Sequence, residues 1–152
     1  MATYDLLVIG GGPGGYLCAE RAAQGGLQVA LFEREHLGGT CLNEGCVPTK
    51  TLLNSAKLYR HATESAAFGV TAEKVTFDHA KVVERKGKVV HTLVSGVEAT
   101  MKANKVTVIR AAAEIQGRAD DGFAVQAGGE TYVGKRLVIA PGSGTTVPPG
   151  PG

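Results

Sequence analysis

The stretch YDLLVIGGGPGGYLCAERAAQGGLQVALFE, residues 4–33, decides the fold. Tyr4 to Ile9 is a short apolar run that ends in glycines, the pattern of a buried strand. Gly14 to Gln24 is rich in Ala and Leu and is followed by Gly25 and Gly26, which suits a helix with a glycine stop. Leu27 to Phe32 is a second apolar strand. Strand, helix and strand in this order make a parallel unit with a right-handed crossover.

The glycines between the first strand and the helix carry chemistry. Gly10, Gly12 and Gly15 fit the spacing G-x-G-x-x-G, with Pro13 and Gly14 inside it. Gly10 allows a tight turn, Gly12 lets backbone approach a pyrophosphate, and Gly15 allows close helix–strand packing. The helix N-terminus then presents N–H groups and a positive dipole end to the phosphates. On the glycines alone, a ligand-free glycine-rich turn competes with this reading. The flanking strand and helix weigh against it, as does Glu33, which closes the second strand at about the 20-residue spacing expected of a ribose-binding carboxylate. A carboxylate there accepts hydrogen bonds from a ribose diol and repels a phosphate on that ribose. The leading ligand is an adenine dinucleotide, FAD or NAD.

Outward from this unit, Pro48 sits at a favoured first-turn position and opens a helix, with Leu52, Leu53, Ala56, Tyr59, Ala62 and Ala66 on its apolar face. Ala80, Val83, Val90, Val94, Val97 and Met101 recur at helical spacing and predict a long helix from about Phe77 to Lys102, with Gly87 its weak point. Val106–Ile109, Glu114–Gln116, Phe123–Gln126 and Thr131–Val133 read as short strands split by turn residues, among them Asp121-Gly122. Leu137 to Ala140 reads as a final buried strand. The fold class is α/β: a Rossmann-like domain with a parallel sheet, flanking helices and a small antiparallel β-meander. It occupies residues 1–140, and residues 141–152, with four of the six prolines and four glycines, read as a linker.

Composition narrows the function classes. The chain has 152 residues, 43% hydrophobic and 20% charged, which is globular and not disordered. Sixteen basic against fourteen acidic residues give a net charge of +2 with no basic run, so nothing points to nucleic acid or a membrane surface. The start of the chain reads as a strand and not as a signal peptide, which makes the cytoplasm the default location. Three cysteines are too few for a disulfide scaffold there.

Cys41 and Cys46 stand five apart, after Gly38-Gly39-Thr40 and ahead of the helix at Pro48. Only His36 is near enough in sequence to join them, so a metal site is not expected. Two unpaired buried thiols remain an alternative to a redox pair. A helix N-terminus lowers a thiol pKa, which favours dithiol–disulfide exchange, and this spacing can close a disulfide if the side chains converge. Cys18, among Leu17, Ala19 and Ala22, reads as a small core residue.

The run GGTCLNEGCVPTK, residues 38–50, resembles the redox-disulfide motif of the pyridine nucleotide–disulfide oxidoreductases, which are FAD enzymes. Leu42 and the segment Leu53–Tyr59 are similar to the dihydrolipoyl dehydrogenase branch of that family; Thr49 stands where serine is usual. Ala140-Pro141-Gly142-Ser143 resembles a flavin-domain segment of Ala-Thr-Gly-Ser, with proline replacing the threonine. The resemblance runs over essentially the whole chain and implies a set of roles. Gly10, Gly12, Pro13, Gly14 and Gly15 would hold the FAD pyrophosphate. Glu33, with Arg34 beside it, would take the adenosine ribose. Gly39 and Thr40 would line the cofactor, Ala113 would meet the adenine, and Ala140, Gly142 and Ser143 would complete the flavin contacts. A Cys41–Cys46 redox disulfide is implied, with Cys41 the interchange thiol and Cys46 passing electrons to the flavin. Lys50 would stabilise the reduced, anionic flavin.

The resemblance further implies oxidation of dihydrolipoamide to lipoamide with reduction of NAD. The partners it implies are the lipoyl group of a 2-oxoacid dehydrogenase or glycine cleavage complex, and a second copy in a homodimer. The chain has no second G-x-G-x-x-G for NAD, and none of His36, His61, His79 or His91 matches the family's acid–base histidine. The expectation is therefore a fragment, inactive alone, of a longer enzyme. A mercuric or glutathione-type reductase of the same superfamily, and a free-standing flavin- or nucleotide-binding module without turnover, are the alternatives.

Overall fold

The computed structural model describes residues 2–120, 122–144, 146 and 149–150. Contacts divide the chain into two compact units: residues 1–39 with 100–152, and residues 40–99.

The first unit is built on a sheet. Among the described residues it has six strands: β1 (Ala2–Ile9), β2 (Val29–Phe32), β3 (Thr107–Ile109), β4 (Ala113–Ala119), β5 (Gly122–Ala127) and β6 (Glu130–Ile139). Their order is β3-β2-β1-β6-β5-β4. β3, β2, β1 and β6 run parallel, while β4, β5 and β6 form an antiparallel meander. Helix α1 (Pro13–Gln24) is the crossover from β1 to β2. The α/β class, the parallel sheet and the meander are as the sequence predicts.

The parallel register sets Leu7 beside Ala30 and Ile9 beside Phe32. Leu7, Ala30, Phe32, Val125 and Ala127 form a buried cluster on the sheet, with Tyr4, Ile109, Ala113 and Tyr132 packed against it. The Phe32 and Tyr132 rings meet edge to face, 5.2 Å between centroids. Burying each large apolar side chain here contributes about 1.5–3 kcal/mol. α1 approaches the strand end of β1 closely, because a Cβ on Gly15 would lie 3.4 Å from Cγ1 of Val8.

One prediction fails in this unit. Thr131–Val133 and Leu137–Ile139 are not two strands but parts of one ten-residue strand, β6, and Ala140 follows its end. Gly134 lies between the two expected strands, and a Cβ there would overlap the Leu7 side chain. The glycine permits close approach across the sheet and does not end the strand. Residues 141–144, 146 and 149–150 join no helix or strand, and residues 145, 147, 148, 151 and 152 of the expected linker lie outside the described residues. So does Asp121 of the expected Asp121-Gly122 turn.

The second unit is helical. It holds α2 (Gly39–Asn43, from its second residue), α3 (Cys46–Glu64), a 3-10 turn over Ser65–Phe68, and most of α4 (His79–Ala103). α3 starts two residues before Pro48, which occupies the third helical position. Its missing N–H costs nothing there, since the first-turn donors have no intrahelical acceptor. α4 starts at His79 and not at Phe77, because Asp78 caps it: Oδ1 of Asp78 accepts the N–H of Lys81 at 3.1 Å. Phe77 instead packs edge to face on Tyr59, 5.8 Å between centroids. The apolar face expected on α3 is largely exposed, including Leu52, Leu53 and Tyr59.

Candidate functional site

The glycine turn follows from its backbone. Gly10 has φ 102°, and a Cβ there would overlap the carbonyl of Ala140. A Cβ on Gly15 would overlap the carbonyl oxygen of Gly10. Both positions are glycine because the protein's own backbone fills the space. Gly12 differs. Its φ is −73°, open to any residue, and its Cβ would meet nothing nearer than the Cα of Gly39 at 3.7 Å. The fold leaves room in front of Gly12 that a side chain would fill.

Gly12 is also the cap residue of α1, and no side chain caps that helix. Pro13 at the first helical position carries no N–H, so the donors at this end are backbone amides. The N–H groups of Gly15 and Tyr16 both point back to the Gly12 carbonyl at 2.9 Å. An uncapped helix start in front of an open glycine face suits an anion.

Glu33 lies at the end of β2, with its own N–H donating to the Ile109 carbonyl at 3.0 Å. Its Oε2 accepts the Gly11 N–H at 2.7 Å and its Oε1 accepts the Glu35 N–H at 2.8 Å. An ionised carboxylate has about four acceptor sites, so capacity for a diol remains. Gly39, with φ 62°, lies against Gly12: a Cβ on Gly39 would come within 2.8 Å of the Gly12 Cα. Ala140 joins the same cluster, its N–H bonded to the Ile9 carbonyl at 2.8 Å and its side chain beside Gly14. Gly10, Gly12, Pro13, Gly14, Gly15, Glu33, Gly39 and Ala140 thus meet at the carboxyl ends of β1, β2 and β6. Arg34 forms an exposed ion pair with Glu35, 3.1 Å. Ala113 begins β4 opposite Ala127, beside the core. Gly142 and Ser143 are exposed.

Three residues of this cluster escape the sequence reading: Gly11, Leu37 and Gly38. Gly11 occupies a position that G-x-G-x-x-G leaves open to any residue. Here a Cβ would come 2.6 Å from Cδ2 of the buried Leu37. The Gly38 N–H donates to the Gly11 carbonyl at 2.8 Å. The run of three consecutive glycines was the available signal.

In the second unit, the Thr40 carbonyl accepts the N–H of Glu44 at 2.9 Å and of Gly45 at 2.6 Å, which closes the short helix α2. The turn carries Cys41 back to Cys46, the first residue of α3. Both thiols are free. A hydrogen bond between the two side chains, donated by Cys41, pushes the Cys41 thiol above its ordinary range; burial and the nearby Cys46 charge add to the rise. The Cys46 N–H, bonded to the Cys41 sulfur, acts the other way. The lowered pKa that a helix start suggests for such a thiol is therefore not found at Cys41. Its partner thiol outweighs the amide. Lys50 lies one helical turn after Cys46 on the same face of α3 and is exposed. Two adjacent thiols on a short turn, with a cation one turn away, suit dithiol–disulfide exchange. Cys18 on α1 is partly buried. His36 lies in a loop, while His61, His79 and His91 are exposed on helices.

Among the described residues no helix is long and apolar enough to cross a membrane. No group of three or more His, Cys, Asp or Glu among them is placed to hold a metal ion.

A family model described as "Pyridine nucleotide-disulphide oxidoreductase" matches residues 4–152. The chain is 45% identical over 150 residues to a dihydrolipoyl dehydrogenase of Acholeplasma laidlawii, covering 98% of this chain and 44% of that protein. It is 45% identical over 141 residues to a dihydrolipoyl dehydrogenase of Zymomonas mobilis, covering 92% of this chain and 30% of that one. Among solved structures, an HOCl-induced flavoprotein disulfide reductase from Escherichia coli, determined as a Cu(II) complex, superposes with a TM-score of 0.76 at 28% identity. That match covers 95% of this chain and 29% of the other. The chain thus spans less than half the length of these relatives.

Proposed function

Since the chain belongs to the pyridine nucleotide-disulphide oxidoreductase family, a family of flavoproteins, we propose that it supplies the FAD pyrophosphate cradle and the redox dithiol of a dihydrolipoyl dehydrogenase. The observation that carries the reading is Gly12. Of the three motif glycines it alone is demanded neither by φ nor by a protein neighbour, so the open face before it accounts for the glycine. The residues fit the cofactor: the positive dipole end of an uncapped helix meets a diphosphate, and a carboxylate at the end of β2 meets a ribose.

Gly10, Gly12, Pro13, Gly14 and Gly15 would hold the pyrophosphate, and Glu33 the adenosine ribose, with Arg34 at its rim. Gly39, Thr40, Ala113, Ala140, Gly142 and Ser143 would complete the cofactor contacts. When bound, FAD supplies a two-electron acceptor from which NAD is reduced, so the protein's task is positioning. The residues of this chain act on sulfur. One thiolate of the reduced lipoyl group attacks the oxidised Cys41–Cys46 pair at Cys41, and Cys46 leaves as a thiolate. The second lipoyl thiolate then attacks its neighbour in the mixed disulfide, closes the lipoamide ring and releases Cys41. One disulfide forms as another breaks, and the two substrate protons are left for the cysteine pair or solvent. Lys50 contributes positive charge one turn from Cys46. The lipoyl group would be carried by a 2-oxoacid dehydrogenase or glycine cleavage complex, and the whole enzyme would pair as a homodimer in the cytoplasm. Residues 1–140 would be the first segment of the FAD domain, and residues 141–152 a linker onward.

The visible spectrum of the purified chain, incubated with FAD, desalted and then mildly reduced with a dithiol, tests this reading. A retained flavin band with a new long-wavelength absorption on reduction is the expected result. A colourless protein would remove the cofactor from this chain.

A further inference from the structure

The geometry points to a second duty for Glu33: it is a positioning residue that pegs the glycine turn through the Gly11 peptide and so presents the face of Gly12. The inference rests on the cofactor reading above and adds to it, since ribose binding does not require contact between Glu33 and the turn.

The Gly11 residue is gripped at both ends. Its N–H donates to Oε2 of Glu33 at 2.7 Å, and its carbonyl accepts the Gly38 N–H at 2.8 Å. Gly11 is buried, with Leu37 Cδ2 and Glu33 occupying the space of its missing side chain. The peg is itself fixed. Oε1 of Glu33 holds the Glu35 N–H, and the backbone of residues 32 and 33 is tied to Gly10 and Ile109. A carboxylate with each oxygen on a backbone N–H has a set orientation, and charge-assisted bonds of this kind are about twice as strong as neutral ones. The next residue, Gly12, has no comparable neighbour and faces open space. Glu33 fixes the Gly10–Gly11 peptide and Gly38 the Gly11–Gly12 peptide, and rotation of either would turn that face aside. Glu33 therefore acts on the pyrophosphate through Gly11, although a bare carboxylate should repel it.

The test uses the 15N-labelled chain with Glu33→Ala, Glu33→Gln and Glu33→Asp. It follows amide exchange at Gly11 and Gly38 and titrates FAD and inorganic pyrophosphate. Gly38 is the informative amide, because Glu33 does not touch it. A loosened turn should speed exchange at both amides by about tenfold or more in Glu33→Ala, the scale of one charge-assisted hydrogen bond. Glu33→Gln keeps the reach and one acceptor and should restore part of the protection. Glu33→Asp keeps the charge, loses the reach, and should not. Pyrophosphate should bind more weakly to Glu33→Ala, whereas loss of a negative charge alone would strengthen it. Unchanged exchange at Gly38, or loss of FAD binding with pyrophosphate binding intact, would overturn the peg and leave Glu33 as a ribose ligand only. If Glu33→Ala does not fold, the contrast between Gln and Asp decides. If the unmodified chain binds neither FAD nor pyrophosphate, the cofactor reading falls, and exchange at Gly38 still decides whether Glu33 holds the turn.

Discussion

The thiol of Cys41 donates a hydrogen bond to Cys46 while the backbone amide of Cys46 donates to the sulfur of Cys41. The first contact favours the protonated thiol and the second the thiolate, and the first prevails. Replacing Cys46 with Ala removes the larger effect and keeps the amide. Cys41 should then ionise at lower pH and react several-fold faster with iodoacetamide at mildly alkaline pH, resolved from Cys18 by peptide mass spectrometry. The sign extends to stability. A raised thiol pKa stabilises the reduced chain below the ordinary thiol range, and the contribution is lost as pH rises through the folded value. The reduced chain should therefore weaken in alkali more than Cys46→Ala does. Equal alkylation profiles would refute the pairing.

Gly12 should tolerate a side chain that Gly15 does not. Gly12→Ser places a favoured cap residue at the start of α1, so it should preserve or raise stability, by up to about 1 kcal/mol. The same hydroxyl occupies the open face and should weaken FAD binding by about tenfold or more, the scale of losing one charge-assisted contact. Gly15→Ala, whose Cβ would overlap the Gly10 carbonyl, should cost about 1–3 kcal/mol from overpacking alone. Urea titration and flavin absorbance measure the two effects separately. A Gly12→Ser chain that binds FAD normally would show that no phosphate comes near this residue.

Asp5 ties together three distant parts of the sheet unit. Its Oδ1 accepts from Lys135 Nζ at 2.8 Å and its Oδ2 from the Gln28 N–H at 3.0 Å. Lys135 is the main cause that holds the Asp5 carboxyl below its ordinary value of 3.8, with the Gln28 amide next. A depressed carboxyl pKa contributes stability above that ordinary value and loses it as pH falls through the folded value. Asp5→Asn should lower the thermal midpoint slightly at neutral pH, and the difference should vanish in strong acid. A gap that stays constant with pH would rule out the ion pair as its source.

Phe32 is almost fully buried and its ring meets Tyr132 edge to face. Phe32→Ala should cost about 3–5 kcal/mol, enough to unfold a marginal domain at moderate denaturant. Leu93 on α4 is 42% exposed, and Leu93→Ala should cost far less. Denaturation midpoints of the two variants make the comparison.

Much of the sheet unit was legible because its signals are local. The apolar runs at residues 4–9 and 27–32 are bounded by glycines, and their spacing implies a parallel pair before any contact is known. What the sequence hid depends on distant chain. Gly134 joins two expected strands into one only once Leu7 is seen in the space of its side chain, and Gly11 looks optional until Leu37 and Glu33 close around it. Asp78 was a readable helix cap, but the apolar Phe77 drew the boundary outward. At the dithiol, spacing favoured a redox pair but left two idle thiols as an alternative. Only the turn through Thr40 and Gly45 shows the two sulfurs in contact, and the direction of the Cys41 shift depended on that contact.

The long strand β6 has a consequence in time. Residues of β1 lie beside partners 130 positions later in the chain, Leu7 with Leu137 and Val8 with Val138. As the chain leaves the ribosome, β1 can pair with β2 early, but its other edge stays vacant until β6 has been made. Pairings of such separation close slowly. The nascent chain therefore carries an unfinished apolar strand until β6 emerges, the interval in which chaperones would have most to protect.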